Sequence, residues 1–256
     1  MQAMIFSAGL GTRFKPWTDL HPKALAKVNG KSLLQRNIEY LQQFGIKNIV
    51  VNVHHFADQV EKAIDENNGW GSSIQISDER AELLDTGGGL LHAERFFMPG
   101  ERFITTNVDI LTDLDIDKIL KFHEEKKALI SFGVTDRKTS RYLLFDNDNR
   151  MIGWKNIKTG DERFSSPLLE SPDASGDAKR ERGRLLAYSC IAVFEYEIFR
   201  LMKEKNFSGK FSLIDLYLGL ARDYPIYGFD HTGDRLVDVG KPDSIAKAES
   251  LFPKNS

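Results

Sequence analysis

Two groups of residues in this chain are spaced to handle phosphate. The first lies at the start, where the apolar run Ala3-Met-Ile-Phe6 breaks into Ser7-Ala-Gly-Leu-Gly-Thr-Arg-Phe-Lys-Pro16, followed by His21-Pro-Lys-Ala-Leu25. Gly9 and Gly11 carry no side chain, so the backbone N–H groups of this turn can approach a bound anion closely. Arg13 adds a planar, forked cation, and Lys15 and Lys23 add point charges. The second group is a pair of strand-end carboxylates, Asp109 in Phe103-Ile-Thr-Thr-Asn-Val-Asp-Ile110 and Asp238 in Arg235-Leu-Val-Asp-Val-Gly240. A carboxylate just past a central strand, opposite a phosphate loop, is where oxygen ligands hold a hard cation. Together these are the parts that displacement at phosphorus requires.

Other phosphate and metal chemistries fail on counted positions. A dinucleotide fingerprint needs a glycine three residues after Gly11, where Phe14 stands, and an acid closing the next strand, which ends Val50-Val-Asn-Val-His54. A P-loop needs a glycine five residues before Gly30-Lys31-Ser32, and that position is Leu25. His54 and His55 are adjacent on an extended stretch, so they point to opposite sides and do not chelate one ion. Cys190 is the single cysteine, which excludes a disulfide framework and a cysteine-based zinc site and reads as a small core residue.

The loop and the carboxylates need elements to hold them. Ser32 precedes Leu34, Ile38 and Leu41 at helical spacing, and Gly45 closes that helix. Asn48-Ile-Val-Val-Asn-Val53 is a second buried strand; Phe56, Val60 and Ile64 mark a second helix; Ile74-Gln-Ile-Ser77 is a third strand. This β-α-β-α-β order predicts an α/β fold, a Rossmann-like, doubly wound, mainly parallel sheet with ligands at its carboxyl ends. Further on, residues 128–134 predict a strand, and residues 141–145 with 151–154 a hairpin. Residues 185–194 predict another strand, and Leu213, Leu216 and Leu220 an amphipathic helix before a strand at 225–229. Asp113 and Asp115 precede the helical spacing of Ile116, Ile119 and Leu120 as capping residues. Residues 158–184 are polar and charged, an exposed insertion with a substrate lid as the alternative.

Length and charge narrow the partners. A chain of 256 residues is most simply one domain over 1–256 with that insertion. Lys plus Arg total 35 against 37 Asp plus Glu, a formal charge of −2, which argues against a nucleic-acid partner. No apolar run approaches the roughly 20 residues of a membrane span. The start of the chain does not read as a secretion signal either, so a cytoplasmic protein is expected.

Taken whole, Ala8-Gly9-Leu10-Gly11-Thr12-Arg13-Phe14-Lys15-Pro16 with Pro22-Lys23-Ala24-Leu25 resembles the signature of the sugar-1-phosphate nucleotidyltransferases, the sugar-nucleotide pyrophosphorylases. The short members of that family, N-acetylmuramate-1-phosphate uridylyltransferases and mannose-1-phosphate guanylyltransferase-like proteins, look most similar. The resemblance implies transfer of a nucleotidyl group from an NTP to a sugar 1-phosphate with magnesium and release of pyrophosphate. Uridylyl transfer to N-acetylmuramate 1-phosphate is the favoured form. Guanylyl transfer to mannose or heptose 1-phosphate, a cytidylyltransferase for an alcohol phosphate and a non-catalytic sugar-nucleotide sensor are the alternatives. Oligomeric state is not legible.

The resemblance also assigns residues. Arg13 and Lys23 are implied as the catalytic cations, and Ala8, Gly9, Gly11, Thr12 and Asn107 as substrate-binding residues. Within Asp85-Thr-Gly-Gly-Gly-Leu90, Thr86, Gly87 and Gly88 correspond to a segment whose backbone reads the nucleobase, a flexible hinge being the other reading. Asp109 and Asp238 correspond to the magnesium ligands, with Val108 where the family carries glycine. Lys155 matches a lysine that contacts the sugar phosphate. Ser189 matches a polar position at the sugar pocket, and Cys190 replaces a glycine beside it.

Overall fold

A computed structural model describes residues 1–165 and 183–253 of the chain. The expected order of elements is present: β1 (Gln2–Phe6), α1 (Leu33–Gln43), β4 (Asn48–Val53), α2 (Ala57–Glu66) and β5 (Ser73–Asp78), with two short strands, β2 (Lys27–Val28) and β3 (Lys31–Ser32), before α1. After β5 come α3 (Asp85–His92), β6 (Phe103–Asn107), β7 (Ile110–Thr112), α4 (Ile116–Glu125) and β8 (Ile130–Thr135). The remainder comprises β9 (Arg141–Phe145), β10 (Met151–Asn156), β11 (Glu162–Phe164) and β12 (Arg184–Phe194), then α5 (Ile198–Glu204), α6 (Leu213–Leu220), β13 (Ile226–Asp230), β14 (Leu236–Asp238) and α7 (Ser244–Leu251).

The sheet is mixed and mainly parallel at its heart. β5, β4, β1 and β6 lie side by side and parallel, and β12 runs antiparallel between β6 and β8, which in turn pairs in parallel with β13. The chain winds outward from β1 to β4 and β5, then returns to the other side of β1 as β6. That reversal opens a crevice at the carboxyl ends of β1 and β6, where the glycine loop and Asp109 emerge.

Strand periodicity divides the core. Ala3 and Ile5 of β1 pack with α1, α2, α4 and α7, whereas Met4 and Phe6 pack with α3, α5 and α6. Helices therefore cover both faces, as a doubly wound sheet requires. On the second face Phe103 stacks within 5.4 Å of both Phe194 and Phe199 and lies 4.2 Å from Phe97. Each such ring contributes about 1.5–3 kcal/mol through burial alone. Ser32 caps α1 by accepting from the Gln35 N–H, worth about 1 kcal/mol. Ser212 and Asp215 form a reciprocal capping box on α6.

Several expectations need adjusting. The strand predicted over 103–110 ends at Asn107, because Val108 turns inward: its N–H donates to the Phe6 carbonyl and its own carbonyl accepts from Asn37. Val108 sits in the core with ordinary backbone angles, so valine fits where the family carries glycine. Asp115 is the N-cap of α4, but Asp113 instead forms an ion pair with Arg235 at 2.7 Å. The insertion predicted over 158–184 starts later than expected, since residues 162–164 pair with β10 as β11. Residues 166–182, where the lid reading falls, lie outside the described residues.

Two buried histidines tie the far ends of strands together. His123 on α4 joins Ser131 Oγ at 2.9 Å and Glu195 at 3.2 Å, while His231 joins Ser189 Oγ at 2.7 Å and lies 3.3 Å from Asp234. Burial lowers the pKa of both, against the opposing pull of Glu195 and Glu124 on one and of Asp234, Asp230 and Asp113 on the other. The folded protein thus binds fewer protons than the unfolded chain below the ordinary histidine value of about 6.5. This contribution to stability is complete above that value and is lost as pH falls beneath it. Thermal unfolding is expected to come at lower temperature at about pH 5.5 than at about pH 7.5, and His123→Asn should shrink that difference. An unchanged pH dependence in the variant would show that His123 titrates alike in the folded and unfolded chain.

Candidate active site

The glycine loop runs directly out of β1. Gly11 adopts φ +61°, and a Cβ there would come within 2.8 Å of the Thr18 methyl and 3.3 Å of Lys23 Cβ, so the turn requires glycine. Its carbonyl accepts from Thr18 Oγ1 at 2.9 Å and from the Phe14 N–H at 2.7 Å, and the buried Phe14 ring anchors the far side. Gly9 is different, with ordinary backbone angles and open space where a Cβ would stand. Among the described residues nothing accepts from the Gly9, Leu10 and Gly11 N–H groups. At Ala8 and Gly9 the loop borders a cleft of about 320 Å³ lined also by Lys23, Asn107 and Asp109.

The root of the loop is fixed by a residue that the sequence reading passed over. Asn52 on β4 accepts from the Ser7 N–H at 2.6 Å and the Ala8 N–H at 3.3 Å, and donates to Glu79 at 2.7 Å. Glu79 is buried at the end of β5, where burial raises its pKa above the ordinary carboxylate range. His54 Nδ1 lies 2.6 Å from the Glu79 carbonyl, and His55 Nε2 lies 3.4 Å from that of Thr18, so each histidine ring faces a backbone oxygen. An asparagine inside the apolar run Ile49-Val-Val-Asn-Val53 was the available signal, since a buried amide needs partners.

The two carboxylates meet through a pairing of residues more than a hundred positions apart. β7 and β14 are antiparallel, with Ile110 opposite Asp238, and the Val239 N–H donates to the Asp109 carbonyl at 2.8 Å. Asp109 forms a close ion pair with Lys23, and both side chains are largely buried. Asp238 stands at an open edge, yet desolvation of its carboxyl, followed by repulsion from Asp109, raises its pKa. Arg13 opposes that rise, and its guanidinium lies against Gly240, where a Cβ would come within 2.9 Å of Nη2. Cations and carboxylates alternate around one point, which suits two phosphate groups and a metal ion. The chain belongs to the nucleotidyl transferase family.

A profile of that family, described as nucleotidyl transferase, matches residues 2–156. An N-acetylmuramate alpha-1-phosphate uridylyltransferase from Caulobacter vibrioides is 44% identical over 252 residues, 97% of this chain and 95% of its own. A protein of the same name from Neisseria meningitidis serogroup B is 30% identical over 251 residues, covering 98% of each chain. The crystal structure of HddC from Yersinia pseudotuberculosis superposes with a TM-score of 0.74 at 22% identity, over 98% of this chain and 99% of that one, which is a likeness of fold. No helix among the described residues is long and apolar enough to cross a membrane.

The remaining expected site residues of this nucleotidyltransferase take other positions. Gly87 and Gly88 lie in the first turn of α3, and both N–H groups donate to the Phe211 carbonyl, at 2.9 and 3.1 Å. Those donors are occupied, so the glycines serve close packing against residues 209–212 rather than presenting N–H groups to a base. The hinge reading fails for the same reason. Thr86 does line the cleft, and its Oγ1 accepts from the Leu213 N–H at 3.0 Å. Ser189 is fully buried, with its hydroxyl bonded to His231, which withdraws it from any sugar pocket. Lys155 on β10 is ion-paired with Glu162 on the adjoining strand. Thr12 opens a short turn after Gly11 with an exposed side chain.

Cys190 is the largest departure from expectation. It adopts φ +58° inside a bulge of β12, where the register with β8 shifts between Tyr188 and Ala192. Burial first, then the charges of Asp109 and Asp238, push its thiol pKa up to about 12, so it stays protonated and is no nucleophile. It thus borders the carboxylate pair instead of filling a distant core. Lys210 also lines the cleft, a cation that no motif marked.

Proposed function

We propose that this nucleotidyltransferase moves the uridylyl group of UTP onto N-acetylmuramate 1-phosphate, in the cytoplasm, with release of pyrophosphate. The observation that carries the reading is the 44% identity, across nearly the whole of both chains, to an N-acetylmuramate alpha-1-phosphate uridylyltransferase. The site supplies the chemistry in support. An oxygen of the acceptor phosphate attacks the α-phosphorus in line as the bond to the bridging α–β oxygen breaks, and its electrons leave with pyrophosphate. The open N–H groups of Gly9, Leu10 and Gly11 and the Arg13 guanidinium bind the departing phosphates. Lys23, fixed by Asp109, offsets charge at the reacting phosphorus. No covalent enzyme intermediate is needed, and positioning with electrostatics carries the rate.

The donor set fits magnesium. Among the described residues no group of three or more His, Cys, Asp and Glu converges as a cage, but Asp109 and Asp238 form a repelling pair of oxygen donors. Magnesium favours such sites, taking one or two carboxylates and completing its shell with water and substrate phosphates. Held by Asp109 and Asp238, it would neutralise charge on the α-phosphate and its attacker.

The test is pyrophosphate release by purified protein with magnesium, across UTP, GTP, CTP, ATP and dTTP. Each is paired with the 1-phosphates of N-acetylmuramate, mannose, glucose and heptose, and CTP also with phosphocholine. Release that needs both UTP and N-acetylmuramate 1-phosphate is the expected result. Release confined to another pair would overturn the substrate assignment, and binding without release from any pair would overturn the reaction.

A further inference from the structure

The side of the site away from the glycine loop holds a cation that neither motif nor resemblance assigns. Arg137 lies two residues past the end of β8, and its Nη2 donates to the Tyr188 carbonyl at 2.9 Å. Tyr188 opens the β12 bulge that holds Cys190 at φ +58°, a conformation costing a non-glycine residue about 1–2 kcal/mol. The bulge is nonetheless firmly held. Tyr188 Oη meets Tyr217 Oη at 2.9 Å, and Ser189 Oγ meets His231 Nε2 at 2.7 Å. Gly133 on β8 leaves room for that imidazole, since a Cβ there would come within 3.2 Å of Nε2. Strain retained by such a frame beside an active site marks a built feature.

Arg137 is anchored but not satisfied. Its Nε is buried and has no hydrogen-bond partner among the described residues, and its guanidinium has no ion-pair partner there either. Lys23 is paired with Asp109 and Lys155 with Glu162, whereas the half-buried Arg137 keeps unpaired donors. Arg137 Nη1 has no partner among the described residues either and is not buried, so an arriving anion meets the guanidinium there. Its charge already acts on Asp238 and Cys190.

Topology says which anion. Asp109 follows β6, with β1, β4 and the glycine loop on one side and β12 and β8 on the other. In-line displacement puts the leaving group and the attacking oxygen on opposite sides of the phosphorus. With the leaving phosphates on the loop, the attacking phosphate comes from the side of β12 and β8.

We infer that Arg137 binds the phosphate of the acceptor sugar 1-phosphate, the task that the resemblance gave to Lys155. This rests on the proposed reaction for its substrate, but not for its anion. Arg137→Gln should raise KM for N-acetylmuramate 1-phosphate about 10- to 100-fold while KM for UTP changes less than about threefold, and Arg137→Lys should recover part of the loss. A purely structural role would move both constants together and gain nothing from lysine. If the parent protein turns over no tested pair, the proposed reaction fails. Calorimetric titration with inorganic phosphate, with the nucleotide side saturated by UTP, then tests Arg137 directly. Phosphate binding that is lost in Arg137→Gln supports the inference. An unchanged acceptor KM, an equal rise in both constants, or phosphate binding that is absent from the parent or intact in the variant overturns it.

Discussion

Asp109→Asn is expected to lower turnover by about 100- to 1000-fold while the protein stays folded. The side chain does two things at once: it holds Lys23 by an ion pair and, with Asp238, forms the pair of oxygen donors suited to magnesium. Asparagine preserves the shape and one acceptor for Lys23, so the bond weakens from charge-assisted to ordinary, a difference on the order of 1 kcal/mol. Removing one of two repelling carboxylates offsets part of that loss, because Asp238 then ionises more easily. Stability should therefore change little, whereas an amide is a poor ligand for a hard cation. Asp113→Asn is the matched control, only four residues along the chain. Its carboxylate pairs with Arg235 at the surface, where such pairs contribute about 0–1 kcal/mol, so turnover should stay near the parent value. Steady-state rates and thermal unfolding of the two variants decide the matter. Parental turnover in folded Asp109→Asn would sink the assignment.

The contrast between these aspartates shows what a sequence can and cannot convey. Asp109 reads as a strand-end acid, and Asp113, four residues on, as a cap for the following helix. Only the pairing of β7 with β14 brings Asp238 beside Asp109 and sends Arg235 to Asp113. The β-α-β-α-β opening was legible because its signals are local: Ser32 as a cap, four-residue spacing in α2, and β-branched runs in β4. The loop was legible because Gly9, Gly11, Arg13 and Lys23 lie within one short stretch. The bulge was not, since residues 185–194 read as a plain strand and nothing nearby announces Cys190 at positive φ. Arg137 sits in an unremarkable polar turn and gains meaning only from Tyr188, some fifty residues later. The same holds for Asn52, whose partners lie 45 residues before and 27 after it.

The glycine run in α3 shows most sharply how a distant partner changes a reading, and it leads to the second large effect. Gly88→Ala is expected to destabilise the protein and open the cleft wall. A Cβ at Gly88 would stand 2.2 Å from the Gly209 carbonyl oxygen and 3.1 Å from Leu84 Cβ. The obstacle is backbone, which no rotamer change can clear. The two segments are also stitched together: Gly87 and Gly88 donate to Phe211, Phe211 donates to the Leu84 carbonyl, and Leu213 donates to Thr86. Moving residue 209 strains all four bonds. Alanine gains about 1 kcal/mol over glycine in helix propensity, but overpacking of this kind costs about 1–3 kcal/mol or more before the bonds are counted. A net loss of about 2–3 kcal/mol would lower Tm by roughly 5–10 °C in a protein of this size. Lys210 and Thr86, which line the cleft from these segments, should shift with it and weaken nucleotide binding. Gly9→Ala gives the opposite pattern. Nothing lies within 4 Å of its Cβ position and its φ is ordinary, so Tm should hold or rise slightly. If phosphate docks on the loop N–H groups, that methyl group blocks it, and turnover falls without loss of stability. Activity lost through the fold at Gly88 but through the bound anion at Gly9 would separate the two glycine sites. Equal stability losses would mean that the loop at Gly9 is packed as tightly as α3 and has no space for phosphate.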